Sequence, residues 1–142
     1  GSGLNVDKKL YVETIVNNNR RLQPVIGKTQ LKVGDKVVVR LTVRLDRTMD
    51  FVQLKDQRAA CLEPVEVLSG YRNVGDVGCY VAVKDASTDF FFDTLNKGTY
   101  VLGYSYRVDR AGSYEAGIAT IQSAYAPEYA AHSASARYEV SQ

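Results

Sequence analysis

The sequence predicts an all-β domain, built as a sandwich or a barrel, on three observations. Apolar and polar residues alternate with a period of two in several segments, which is the pattern of half-buried strands. The composition includes ten Tyr, four Phe and 11 Gly with no Trp, a balance typical of pleated sheets and their turns. Turn residues separate the extended segments about every ten residues, and no longer window shows the 3.6-residue period of a helix.

The clearest strand covers residues 37–45, because Val37, Val39 and Leu41 alternate with more polar neighbours such as Arg40 and Thr42. A Val-Gly-Asp turn at 33–35 introduces it. The same alternation places tyrosines on one face of residues 100–107. In chain order, the extended segments are residues 10–16, 37–45, 51–55, 60–63, 79–84, 90–92, 100–107, 114–122 and 137–140.

Two connections between these segments are distinctive. The turn Asn96-Lys97-Gly98 predicts that residues 90–92 and 100–107 pair as a hairpin. Residues 123–136 are rich in Ala, but Pro127 and two serines interrupt them, so we expect a loop with one helical turn after Pro127. Because long connections in compact domains are often functional, this loop is a candidate binding element.

Length and charge predict one globular domain. The chain has 142 residues, near the size of a single domain, and we expect residues 1–7 to be a cloning remnant and linker and residues 8–142 to be the domain. No run of 18 apolar residues occurs, so direct membrane insertion is not expected. The net charge is +2 and basic and acidic residues are interleaved, which argues against a nucleic-acid partner.

Catalytic, metal and cofactor motifs are weak, so we expect neither an enzyme nor a bound cofactor or metal. His132 is the only histidine, and its neighbour Ser133 is not in a nucleophile-elbow motif. Asp85, Ser87 and Asp89 have the spacing of a calcium loop, but Phe90 occupies the position that requires Gly. We interpret this segment as a polar turn and His132 as a surface residue.

Cys61 and Cys79 are the two cysteines. One disulfide between them is permitted, and two buried free thiols are the alternative. The sequence spacing does not fix their geometry, so both options stay open.

Several ordered blocks together resemble the C-terminal macroglobulin-like domain of bacterial alpha-2-macroglobulins, especially the large Bacteroidetes form. The blocks are DFVQLKD at 50–56, RAACLEP at 58–64, SGYR at 69–72, KDASTDFFFD at 84–93, KGTYVL at 97–102, RAGSY at 110–114, GIATIQ at 117–122 and YAPE at 125–128.

This resemblance implies an antiparallel immunoglobulin-like β-sandwich without catalytic chemistry, in a large protease-trapping protein. Its partners would be the thioester domain and other macroglobulin domains of the parent chain, and proteases through the parent. The parent would lie in the periplasm or cell envelope, as a membrane-anchored lipoprotein. In related bacterial proteins a Tyr-x-Pro loop of this domain shields the thioester from water; the matching residues here are Tyr125, Ala126, Pro127 and Glu128.

Cys61-Leu62-Glu63-Pro64 is similar to the C-x-E-Q thioester motif of that superfamily, but Pro64 lacks the carboxamide carbon that forms the bond. The runner-up function is a stand-alone recognition or adhesion sandwich at the cell surface, and Tyr125 could alternatively pack as core beneath its loop. A Lys-to-Asn isopeptide cross-link, known in bacterial surface sandwiches, also stays open.

Overall fold

The computed structural model describes residues 3–26, 30–75 and 77–142. These residues form fourteen β-strands and no helix. The strands are β1 Leu4–Val16, β2 Asn19–Pro24, β3 Gln30–Lys32, β4 Lys36–Leu45, β5 Met49–Gln57, β6 Leu62–Pro64, β7 Gly70–Val74, β8 Val77–Val83, β9 Ser87–Leu95, β10 Gly98–Val108, β11 Gly112–Ala116, β12 Ala119–Ser123, β13 Ala130–His132 and β14 Ala136–Ser141. The prediction of an all-β fold is confirmed.

Two main sheets and one small sheet make up the domain. One main sheet has five strands in the order β2-β1-β4-β10-β6, and the other has six in the order β13-β12-β5-β9-β8-β7. Neighbours in both are antiparallel. The small sheet has the order β11-β14-β3, and β14 and β3 run parallel.

The inner faces of the two main sheets share one hydrophobic core, as expected of an immunoglobulin-like sandwich. Leu41 of β4 and Leu54 of β5 are both fully buried in it. The Phe90 ring of β9 packs against Tyr104 of β10, with ring centroids 5.1 Å apart. Successive side chains of a β-strand point to opposite faces of the sheet, so burying the inner face does not determine which residues lie on the outer face.

The predicted hairpin between residues 90–92 and 100–107 is wrong. Strand β9 pairs with β5 and β8, whereas β10 pairs with β4 and β6, so the turn at 96–97 carries the chain from one sheet to the other. The Tyr100 hydroxyl donates to the Asn96 carbonyl at 2.8 Å and closes this corner. A turn does lie between β9 and β10, as the sequence predicts, but a short turn does not determine which sheet the next strand joins.

Other boundaries also differ from the prediction. Strand β1 begins at Leu4, and Leu4 and Val6 are buried, so residues 4–7 are part of the domain rather than a linker. Residues 1–2 lie outside the described residues. The segment 114–122 is split at Gly117, where a side chain would collide with the Gln57 carbonyl: a Cβ built there lies 2.2 Å from it.

The region 123–136 is more ordered than predicted. It contains strand β13, and the expected helical turn after Pro127 is a β-turn in which the Tyr129 amide donates to the Ala126 carbonyl at 2.8 Å. Strands β2, β3 and β7 were not predicted at all.

Candidate functional site

The loop of residues 124–129 follows β12 at one end of the six-stranded sheet and is anchored on both sides. The Ala124 amide donates to the Phe51 carbonyl at 2.9 Å, and the Ser123 amide donates to the Tyr129 carbonyl at 3.3 Å. Arg47 donates to the Tyr129 hydroxyl at 2.9 Å, and its guanidinium lies 4.7 Å from the centre of the same ring. These bonds fix the backbone of the loop without using the side chain of Tyr125.

Tyr125 itself projects outward and is 77% exposed, so the alternative that it packs as core beneath the loop is wrong. Pro127 and Glu128 are also exposed, and Ala126 is half-buried. The ring of Tyr125 meets the ring of Phe51 edge to face, with centroids 5.0 Å apart. The loop therefore presents an aromatic pair to solvent from a fixed support.

Phe51 was not predicted as a site residue. Its φ is 53°, in the left-handed region that a bulky side chain rarely adopts, and such strain costs about 1–3 kcal/mol. Strained residues of this kind cluster at functional sites. Phe51 nevertheless lies within β5 and is half-exposed beside Tyr125.

A second group of rings crosses the outer face of the same sheet. Tyr71 of β7 is the cross-strand neighbour of Tyr80 of β8, which in turn neighbours Phe91 of β9. The Tyr71 and Tyr80 centroids are 5.0 Å apart, and those of Tyr80 and Phe91 are 6.5 Å apart. The row continues in register through Gln53 and Gln122. We call Tyr71, Tyr80, Phe91, Phe51 and Tyr125 the aromatic face.

Among the described residues, these five are the exposed aromatic side chains, and all belong to the six-stranded sheet or its loop. The tyrosine excess in the sequence predicts rings on strand faces in general but not on one shared face. A sequence signal for an outward-facing ring was present in residues 77–83. There the apolar Val77, Cys79 and Val81 recur at every second position, and Tyr80 lies between them on the opposite face. Recognising that the rings align required the strand register.

Beneath this sheet, a buried polar cluster joins it to the five-stranded sheet. Asp56 is fully buried and its carboxylate forms an ion pair with Lys8, with 2.6 Å between Asp56 Oδ1 and Lys8 Nζ. The Tyr104 hydroxyl donates to Asp56 Oδ2. Burial raises the pKa of Asp56, against the opposing effect of Lys8, and burial also holds the pKa of Tyr104 well above its ordinary value.

Cys61 and Cys79 are both buried free thiols, so the disulfide considered from the sequence is not formed in the structure. Desolvation raises the pKa of Cys79 to about 11 and also raises that of Cys61. A thiol with a raised pKa is protonated at neutral pH and is a poor nucleophile. Both side chains therefore behave as small core residues.

The other candidate residues take structural roles. Ser133 is buried and its hydroxyl accepts from the Ala119 amide at 2.9 Å, while His132 is exposed. At the turn before β9, Arg58 donates to the carbonyls of Lys84 at 2.8 Å and Ser87 at 3.0 Å, and Lys84 Nζ lies 2.9 Å from the buried Asp89 carboxylate.

Within residues 3–26, 30–75 and 77–142, no group of three or more His, Cys, Asp or Glu side chains is placed to hold a metal ion. In that same part of the chain, no helix has the length and apolar character needed to cross a bilayer.

Residues 3–128 match the family model of the bacterial Alpha-2-macroglobulin MG10 domain. The chain belongs to this family. The aromatic face and the 124–129 loop are thus features of an MG10 domain. No curated protein sequence matches the chain.

Solved structures agree with this assignment at the level of fold. The MG10 domain resembles a crystal structure of a Salmonella alpha-2-macroglobulin tyrosine-to-glycine mutant, with a TM-score of 0.76 and 20% identity over 99% of this chain and 9% of that one. It also resembles trypsin-activated alpha-2-macroglobulin from Escherichia coli, with a TM-score of 0.74 and 14% identity over 99% of this chain and 10% of that one. The chain therefore spans about a tenth of the length of these relatives.

A smaller protein shares the sandwich more distantly. A non-cellulosomal cohesin from the hyperthermophilic archaeon Archaeoglobus fulgidus matches with a TM-score of 0.51 and 14% identity, over 80% of this MG10 domain and 86% of that chain.

Proposed function

We propose that this MG10 domain is a non-catalytic C-terminal module of a Bacteroidetes-type alpha-2-macroglobulin, and that it packs on the thioester domain of the parent chain and shields the thioester. The observation that carries the proposal is the gathering of the exposed aromatic rings of the described chain on one sheet and its loop. Clusters of exposed apolar side chains mark interaction sites, and here two such clusters, one of Tyr71, Tyr80 and Phe91 and one of Phe51 and Tyr125, lie on the same sheet and its loop. In this proposal the partner is another part of the same polypeptide, which is supported by the length of the relatives, about ten times that of this chain.

Within this surface, Tyr125 is the residue that would cover the thioester. A phenol ring excludes water over a large area and adds no nucleophile stronger than a neutral hydroxyl. The loop is held by the Phe51 carbonyl, which accepts from the Ala124 amide, and by Arg47, which donates to the Tyr129 hydroxyl, so the ring of Tyr125 is presented from a fixed support. Pre-organisation of this kind lowers the ordering cost of docking.

The wider role follows from the parent. There, protease cleavage of a bait region would release the shielded thioester, and the protein would trap proteases in the periplasm or cell envelope. This domain would contribute contacts rather than chemistry. The interleaved surface charges fit a protein partner better than a nucleic acid.

The test is the rate of thioester hydrolysis in the full-length parent carrying Tyr125→Ala. We expect the rate to rise about tenfold, equivalent to about 1.4 kcal/mol of lost protection. Tyr11→Ala is the matched control, because Tyr11 lies on the outer face of the other sheet beside Arg40. Equal hydrolysis rates in the Tyr125→Ala variant and the unaltered parent would refute the shielding role.

The second candidate is a stand-alone recognition or adhesion sandwich, which the exposed aromatic face also favours. The two are distinguished by the flanking gene sequence. An upstream C-x-E-Q motif in the same reading frame supports the thioester partner, and its absence supports the stand-alone domain.

A further inference from the structure

Lys8 and Asp56 meet in the core between the two main sheets. Lys8 lies on the inner face of β1 opposite Leu41, and Asp56 lies on the inner face of β5 in register with Ala119. Their side chains are 7% and 0% exposed, and 2.6 Å separates Lys8 Nζ from Asp56 Oδ1. An amine and a carboxyl group are therefore in contact where water is almost excluded.

The surrounding groups orient both partners. Lys8 Nζ also donates to the Gly117 carbonyl at 2.8 Å and to the Gln57 carbonyl at 3.1 Å. After one proton passes to Asp56, those two carbonyls hold the remaining N–H groups and leave the nitrogen lone pair directed toward the carboxyl group. The Tyr104 hydroxyl donates to the other carboxyl oxygen, Oδ2.

We propose that Lys8 and Asp56 form an intramolecular isopeptide bond between Nζ and Cγ. The ammonium transfers one proton to Asp56, which gives a neutral amine and a carboxylic acid. The amine attacks Cγ, the Nζ–Cγ bond forms, and one C–O bond breaks. The leaving oxygen carries away two protons as water, with the Tyr104 hydroxyl as the proton relay. No oxidant or reductant is needed, and the product is a neutral amide.

Burial favours this step. Taking an ammonium and a carboxylate out of water carries a large desolvation penalty, which a neutral amine and acid avoid. Burial also raises the pKa of Asp56, in the direction that favours the carboxylic acid. Fixed proximity of two reacting groups corresponds to effective molarities of about 10⁵–10⁸ M. The amide retains one N–H, for which the Gly117 carbonyl is an acceptor.

The ion pair between Glu13 and Lys36 provides an internal comparison. Its atoms are 3.1 Å apart, but its side chains are 11% and 34% exposed, so water can solvate both charges. A cross-link from lysine to asparagine, the option open from the sequence, would release ammonia. In the structure the residue beside Lys8 is Asp56, so the condensation releases water.

The first measurement is the intact mass of the folded 142-residue chain. We expect a mass lower than that of the sequence by one water, and a tryptic map in which the peptides containing Lys8 and Asp56 stay joined. A mass equal to that of the sequence overturns the proposal. Because the unaltered chain is measured, this result does not depend on a variant folding.

Variants identify the bond. Lys8→Arg should restore the full sequence mass, whereas Asp56→Asn should lose one ammonia in place of water. Lys36→Arg is the matched control and should retain the loss of one water. Persistence of the loss in a folded Lys8→Arg chain would overturn the assignment to these two residues.

Tyr104→Phe tests the proton relay. We expect at least about a tenfold slower appearance of the cross-linked mass when a chain kept unfolded since its synthesis is first allowed to fold, since general acid–base assistance contributes about 10²–10⁴-fold in enzymes. An unchanged rate would refute the role of Tyr104.

Discussion

The outer faces of the two main sheets differ far more than their inner faces. On the five-stranded sheet the outward side chains include Asp7, Lys9, Arg40 and Arg44, which are polar and solvated. On the six-stranded sheet the corresponding surface carries the row Tyr71, Tyr80 and Phe91. Both inner faces are mostly apolar and buried, apart from the polar cluster of Lys8, Asp56 and Tyr104.

This difference separates what folding requires from what function adds. Packing of the sandwich needs only that each sheet bury one face. A charged outer face keeps the domain soluble, whereas an aromatic outer face leaves apolar surface in water and contributes little to folding. The aromatic face is thus best explained by a partner.

Replacing a large side chain on the inner face of each sheet tests whether the two sheets contribute equally to stability. Of the changes considered, these should lower the free energy of unfolding most. Leu41→Ala and Leu54→Ala remove fully buried leucines from opposite sheets. Each should lower the free energy of unfolding by about 2–5 kcal/mol, through lost burial and a residual cavity. Urea denaturation measures both. A loss below about 1 kcal/mol at either site would contradict a shared core.

Buried tyrosine gives the inner region a dependence on alkaline pH. Desolvation raises the pKa of Tyr106 to about 12 from its usual 10.0, and its hydroxyl hydrogen-bonds Thr88 at 2.8 Å. Between pH 10 and 12 the unfolded chain releases this proton while the folded chain keeps it, so stability falls as pH rises. The expected loss is about 3 kcal/mol from this group.

Denaturation at a series of alkaline pH values measures this loss. Tyr106→Phe removes one ionisable group and should make the decline less steep. The contributions of Tyr104 and Tyr138 stay, because burial also raises their pKa values, that of Tyr138 to about 12. An equally steep decline in Tyr106→Phe would show that Tyr106 does not contribute to it.

Substitutions on the outer faces should have the smallest effect on stability. The combined change Tyr71→Ser and Phe91→Ser should alter the unfolding free energy by about 0.5 kcal/mol per site, since exposed residues contribute little. It should clearly reduce retention of the chain on a hydrophobic-interaction column. Tyr11→Ser, on the charged face, should leave retention unchanged, and equal reductions in the two variants would remove the distinction between the faces.

Particular residues show where sequence reasoning succeeded. The alternation in 37–45 predicted β4 and its buried face, since a strand with one wet side has a period of two in any fold. The YAPE block predicted the position of the 124–129 loop through its resemblance to a family, but whether Tyr125 is exposed depended on how the loop packs. Phe51 was missed because its positive φ arises from tertiary constraints.

The sequence by itself determined the fold class, the faces of the principal strands and the family, because these depend on local periodicity and on ordered blocks of residues. Only the tertiary structure decided that β9 and β10 lie in different sheets, that five rings share one surface, and that Lys8 meets Asp56. The physical reason is that pairing between distant strands sets these contacts. No turn or alternating pattern encodes which distant strands will be neighbours.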